Sequence, residues 1–174
     1  MSVNIKKTGI VQASGEIGAN LVIGGKKDIG PNSTYNIGNF ILSGELTAGQ
    51  KFTVTIKGTI GADKKFGLWL GGGYNLQGYF TDRGDGTFTL TFTSPSSISG
   101  DGRRDRINIY AYPSSNTNQS SMNWIKLESG TIPTDWIPNI NDEDFVGNTS
   151  GFNEQSGNAQ ITKGYINATD FIEI

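Results

Sequence analysis

Hydrophobic residues recur at every second position along much of this chain. In residues 51–57, Phe52, Val54 and Ile56 fall on one side and Thr53 and Thr55 on the other. Residues 87–93 repeat the pattern with Phe88, Leu90 and Phe92 between threonines. Strict alternation with Thr outward is the mark of an antiparallel strand that rests one face on a core. In residues 106–112, Ile107, Ile109 and Ala111 alternate with Asn108, Tyr110 and Tyr112. Residues 66–70, 76–80 and 122–128 read likewise, and 39–43 and 20–24 are shorter candidates.

Turns separate these segments. Asp82-Arg83-Gly84-Asp85-Gly86 is a hairpin signal, because Gly supplies the positive φ that a tight turn needs. Residues 46–50 and 59–65 are further connectors. No stretch sustains a helical period. Short strands at regular spacing with Gly-rich turns predict an all-β, antiparallel sandwich over residues 18–138. The flanks differ. Residues 1–17 form an N-terminal arm and 139–160 a polar linker or extended arm. Residues 161–174, ending in Asp170-Phe171-Ile172-Glu173-Ile174, are a β-prone tail.

Composition narrows the chemistry. The 174 residues include 25 Gly, no Cys and no His. Disulfides, zinc ribbons, thiol nucleophiles and imidazole relays are therefore absent. The net charge of −2 argues against nucleic acid as a partner, since a phosphate backbone needs a clustered basic face. The densest basic run, Arg103-Arg104-Asp105-Arg106, reads as a solvated loop feeding a strand. No segment reaches the roughly 18 apolar residues of a membrane span. The opening residues carry no apolar stretch or small-residue cleavage site, which predicts synthesis in the cytoplasm without a secretory signal.

One internal repeat stands out. Lys7-Thr8-Gly9-Ile10-Val11-Gln12-Ala13-Ser14 matches Thr162-Lys163-Gly164-Tyr165-Ile166-Asn167-Ala168-Thr169. The two octets either share β composition by chance or are one structural device used on both sides of the sandwich. Isolated short strands cannot stabilise themselves. In the second reading each needs a partner: the other octet, a neighbouring subunit or a host assembly. Ile10, Val11, Tyr165, Ile166, Phe171 and Ile174 are then the candidate assembly residues.

The segment 121–138 carries a resemblance. Trp124, Lys126, Leu127, Glu128, Gly130, Thr134, Asp135, Trp136 and Pro138 match a closing pattern, Trp-x-Lys-Leu-Glu-x-Gly followed by Thr-Asp-Trp-x-Pro. It resembles the end of jelly-roll, carbohydrate-binding-module-like domains in bacteriophage tail and baseplate proteins. Residues 84–92 are similar to the inner hairpin of those domains. Residues 162–173 look like the short segments that punctuate phage virion proteins, while the N-terminal copy departs from them after Ser14. The resemblance covers about two thirds of the chain. It implies a jelly-roll sandwich and a virion structural protein of tail, baseplate or head fibre. It implies other virion proteins as partners and a homo-oligomer, a trimer by analogy with fibre proteins.

Candidate sites follow. If the aliphatic side of each strand forms the core, Trp69, Tyr79, Tyr110 and Tyr112 lie on an outer sheet face, with Gln77 and Asn108 beside them. Flat rings with nearby amides suit sugar stacking, so host surface polysaccharide is a possible ligand of this face. Cover by a loop, the N-terminal arm or another subunit is the alternative, because Trp and Tyr are also interface residues. Trp124 and Trp136 read as structural, with Trp136 plugging one end of the sandwich. Asp82, Asp85, Asp101 and Asp105 read as turn residues rather than metal ligands. Glu45, Glu128, Asp82 and Asp85 show no catalytic pairing. Gly71-Gly72-Gly73 lacks the Lys-Ser/Thr of a phosphate loop. No catalytic residue, cofactor or metal is expected.

Overall fold

The computed structural model describes residues 18–142, together with the backbone of two short strands at 152–153 and 158–159. The candidate assembly residues Ile10, Val11, Tyr165, Ile166, Phe171 and Ile174 lie outside the described residues.

The chain is an all-β sandwich of two antiparallel sheets. Its strands are β1 (Lys26–Asn32), β2 (Asn36–Ile41), β3 (Lys51–Thr59), β4 (Lys65–Leu70), β5 (Asn75–Tyr79), β6 (Thr81–Asp82), β7 (Thr87–Thr93), β8 (Arg106–Tyr112) and β9 (Ser120–Ser129). A five-stranded sheet has the order β1-β9-β3-β7-β6, and a four-stranded sheet has the order β2-β8-β4-β5. A separate pair, β10 (Phe152–Asn153) and β11 (Asn158–Ala159), is antiparallel.

The alternation read from the sequence sets this layering. Phe52, Val54 and Ile56 of β3 pair with Phe92, Leu90 and Phe88 of β7, and Val54 and Ile56 pair with Leu127 and Ile125 of β9. These side chains face Phe66, Leu68 and Leu70 of β4 and Ile107, Ile109 and Ala111 of β8, in one buried cluster. Phe66 crosses between the layers and meets Phe88 edge to face, with centroids 5.1 Å apart. The offset geometry adds to area burial, by about 0.5–1.5 kcal/mol for such a pair.

Two elements depart from the sequence reading. Residues 20–24 form no strand; Val22 makes a single bridge to Leu42. The strand lies just after them, at β1, in a segment without hydrophobic alternation (Lys-Lys-Asp-Ile-Gly-Pro-Asn). β1 is an edge strand, where Pro31 is tolerated because one row of backbone groups needs no partner. Its lysines also discourage pairing with another edge.

The turns behave as their composition predicts. Asp82 Oδ1 accepts from the Gly84 backbone N–H at 2.8 Å, and Asp85 Oδ1 accepts from that of Thr87 at 2.8 Å. Asp101 does the same for Arg103. The basic run is only partly a solvated loop. Arg103 and Asp105 pair near the surface, but Arg104 turns inward. Its guanidinium donates to the Leu46, Pro95 and Ser96 carbonyls and to Ser94 Oγ, and so ties two loops together.

Candidate functional site

Two side-chain constellations lie on the outer faces of the sandwich. The first is aromatic and covers the four-stranded sheet. Across that sheet, Asn36, Tyr110, Gly67 and Tyr79 stand in one row. Asn39, Asn108, Trp69 and Leu76 stand in the next. Gly67 explains why the two rows close up. A Cβ there would lie 2.3 Å from Trp69 Cζ3, so the indole occupies the space that a side chain at residue 67 would fill. Tyr110 and Tyr79 then meet the indole edge to face from either side, at centroid distances of 5.0 and 6.1 Å.

This packing separates the aromatic residues into two kinds. Trp69 is 9% exposed, whereas Tyr79 and Tyr112 are 36% and 43% exposed. Trp69 therefore supports the face and does not present a free ring. The Tyr79 and Tyr112 rings adjoin each other at 5.5 Å and form the accessible rim. Lys65 Nζ lies 5.9 Å from the Tyr79 centroid, within cation–π range.

Alternation over residues 76–80 predicts Leu76 on the core side, opposite Tyr79. The structure puts both on the outer face. Leu68 pairs with Gly78 but Trp69 pairs with Leu76, so Gln77 is an extra residue in β5. Gly78 has φ 153°, a conformation that suits glycine and accommodates the irregularity. The extra residue shifts the inward–outward phase, and Leu76 is left 45% exposed. Gln77 is half-buried, and its Nε2 donates to the Asn75 carbonyl at 3.1 Å.

Asn108 is buried between Asn39 and Trp69. Its Nδ2 donates to Asn39 Oδ1 at 2.6 Å, while its Oδ1 has no hydrogen-bond partner. Tyr35 is a member that periodicity missed, since it precedes β2 in a loop. Its ring lies 4.8 Å from that of Tyr110. Burial is the main cause that raises the Tyr35 phenol above its ordinary pKa, with the Tyr110, Tyr79 and Tyr112 phenols adding to it.

The second constellation is polar and lies on the outer face of the five-stranded sheet. Lys126 and Glu128 alternate with the core residues Ile125 and Leu127, so both point away from the core. Both are nonetheless fully buried, because the exit segment lies over them. Lys126 Nζ donates to Thr134 Oγ1 at 2.5 Å and to the Asp135 carbonyl at 2.7 Å. Glu128 accepts from the Thr134 backbone N–H at 2.9 Å and from its hydroxyl at 2.7 Å. Burial lowers the Lys126 pKa, and the Glu128 charge opposes that shift. Trp124 and Trp136 extend the cover, with centroids 6.1 Å apart. The Lys, Glu, Thr and Trp of the closing pattern are thus one lock that fastens the exit to β9.

The lock also fixes the entry. Asn20 is buried; its Nδ2 donates to the Ile137 carbonyl, and its own carbonyl accepts from Asn139 Nδ2 at 2.6 Å. Asp142 Oδ1 accepts from the Gly24 N–H at 2.6 Å. The packed unit accordingly runs to Asp142, past Pro138. Among the carboxylates considered for catalysis, Glu128 is committed to the lock, and Asp82 and Asp85 to their turns. Among the described residues, no group of three or more Asp and Glu side chains is placed to hold a metal ion. Comparison with protein families, curated proteins and solved structures finds no match to this chain.

Proposed function

We propose that this chain is a structural component of a bacteriophage particle, in a tail, baseplate or head fibre. In this reading it is made in the host cytoplasm and incorporated into the virion. It assembles through its terminal arms with other copies, as a trimer by resemblance to fibre proteins, and with other virion proteins. It has no catalytic role.

The observation that carries this reading is the lock. The residues of the phage-like closing pattern, Lys126, Glu128 and Thr134, are the ones that seat the exit segment on the sheet. A pattern used in this way defines where an arm leaves the sandwich, which is what an assembly module requires. The strand order, β1-β9-β3-β7 facing β2-β8-β4-β5, supports reading the sandwich as a jelly roll built from two Greek keys. The arms would attach by strand addition, with main-chain hydrogen bonds to a sheet edge and alternate side chains setting the fit. The test is the molar mass in solution, by light scattering, of the full chain against a chain lacking 161–174. The full chain should assemble, and the shortened chain should be a folded monomer. Assembly that survives the truncation would refute the reading.

A second reading, a module that binds host surface polysaccharide, has its own observation. Tyr79 and Tyr112 form an exposed pair of rings beside the buried Trp69, with Lys65 Nζ 5.9 Å from the Tyr79 centroid. A glycan array with the full chain separates the two readings.

A further inference from the structure

The strands of the four-stranded sheet carry no acidic residue. β2, β8, β4 and β5 contain no Asp or Glu. In the other sheet, β1, β6 and β9 contain Asp28, Asp82 and Glu128. The charged residues of the four strands are Lys65 and Arg106. Arg106 opens β8 and Tyr112 closes it, roughly 20 Å apart at the rise of a strand. Arg106 is paired, with its Nε 3.3 Å from Asp105 Oδ1. Lys65 is exposed, and no carboxylate among the described residues forms an ion pair with it.

Lys65 stands at the rim of the aromatic face. It is the direct partner of Tyr112 in the β4–β8 ladder, and its Nζ lies 5.9 Å from the Tyr79 centroid. The Tyr79 and Tyr112 rings adjoin at 5.5 Å with 41° between their planes. One ammonium group therefore borders the exposed ring pair.

This placement selects the charge of a ligand. A molecule seated on the two rings takes water from the Lys65 ammonium. A neutral molecule returns no charge, and desolvating an ammonium without a partner is costly. A carboxylate at that edge replaces the lost water with a charge-assisted hydrogen bond. The ring faces are electron-rich and suit the C–H side of a pyranose. The chain's net charge of −2 disfavours nonspecific attraction of polyanions, so an anion held here is held by local charge.

We propose that the Tyr79–Tyr112 rim binds an acidic saccharide, whose sugar ring stacks on the phenols while the carboxylate of a uronic acid pairs with Lys65. This rests on the polysaccharide-binding reading above and gives its ligand a charge.

The test uses the full chain and three uronic-acid polymers, polygalacturonate, alginate and hyaluronate, each beside its carboxyl-reduced form. Binding is measured by retention and by biolayer interferometry, and folding of each variant by its near-ultraviolet circular dichroism. The parent chain should bind an acidic polymer more tightly than the reduced form of the same polymer. Lys65→Gln should weaken binding of the acidic polymer by about tenfold and leave the reduced form unaffected. Lys65→Arg should restore the preference, and high salt should reduce it. Equal binding of the acidic and reduced forms by the parent overturns the proposal and leaves the polysaccharide reading standing. So does a Lys65→Gln chain that binds the acidic polymer like the parent, or one that loses both forms equally. A parent chain that binds none of the six polymers overturns the proposal, and silence on neutral glycans as well refutes the polysaccharide reading itself.

Discussion

Lys126 and Glu128 stand two residues apart on β9, on the face turned away from the core, yet neither side chain reaches solvent. Their Nζ and Oε2 atoms are 3.4 Å apart beneath Thr134. Removing one charge from such a pair strands the other. Lys126→Met should destabilise the fold by about 3–5 kcal/mol. The double change Lys126→Met with Glu128→Leu should recover part of that, because no charge is then left unpaired. A residual cost of about 1–3 kcal/mol should remain for the Thr134 backbone N–H that loses its acceptor. Chemical denaturation of the three chains checks the order. A double variant as unstable as the sum of the single ones would show that the charges are not coupled.

Gly67 seats the Trp69 ring, and the site depends on that absence of a side chain. A methyl group at residue 67 would meet Trp69 ring carbons at 2.3 and 2.6 Å. Gly67→Ala should displace the indole and cost about 1–3 kcal/mol as an overpacking change. The Trp fluorescence and the near-ultraviolet circular dichroism should change together with the loss of stability. An unaltered spectrum would mean that the indole does not rest on Gly67.

The strands with one buried face were legible because period-2 alternation is a direct image of a half-buried sheet. β7 is of this kind; β3 and β8 carry the same alternation, although Thr53, Thr55 and Asn108 on their outer faces are buried as well. β1 was not legible, since an edge strand held by β9 alone can be polar and contain proline. The outer-face aromatic residues were legible for the same reason as the core: they are the other half of the alternation. What the pattern could not show is that Trp69 lies beneath its neighbours. That burial depends on Gly67 and on the extra residue Gln77, and both act across strands rather than along one. The lock was equally hidden. Lys126 and Glu128 occupy solvent-side positions by period, and only the returning exit segment buries them.

Asp105 links the pH response to the Arg103–Asp105–Arg106 cluster. The hydrogen bond from Arg103 is the main cause holding its carboxyl far below the ordinary carboxylate range, with Arg106 contributing. A carboxyl group with a depressed folded-state pKa adds stability above its unfolded value, near 3.9. As pH falls from there the unfolded chain takes up the proton first, so this contribution shrinks and is lost once pH passes below the folded value. Asp105→Asn should therefore flatten the acid limb of the stability profile below about pH 4. High salt should reduce the difference between the two chains, because the cluster is partly exposed. Thermal melts from pH 2 to 6 at two ionic strengths measure both effects; parallel profiles for the two chains would contradict the assignment.

The exposed rim gives the polysaccharide reading its discriminating variants. Trp69→Ala is a poor choice, because Trp69 is buried among Tyr79, Tyr110 and Tyr112. Its removal should cost about 3–5 kcal/mol as a large-to-small change and so confuse lost binding with lost structure. Tyr79→Ala and Tyr112→Ala remove the accessible rings and leave Trp69 seated on Gly67. Each should keep a cooperative melt. If the face stacks on sugar, each should also lower retention on any glycan that the parent chain binds. Tyr112→Phe should keep that retention if the ring face makes the contact and lose it if the hydroxyl does. Glycan retention that is equal in the parent chain and in both alanine variants would place the contact away from this rim.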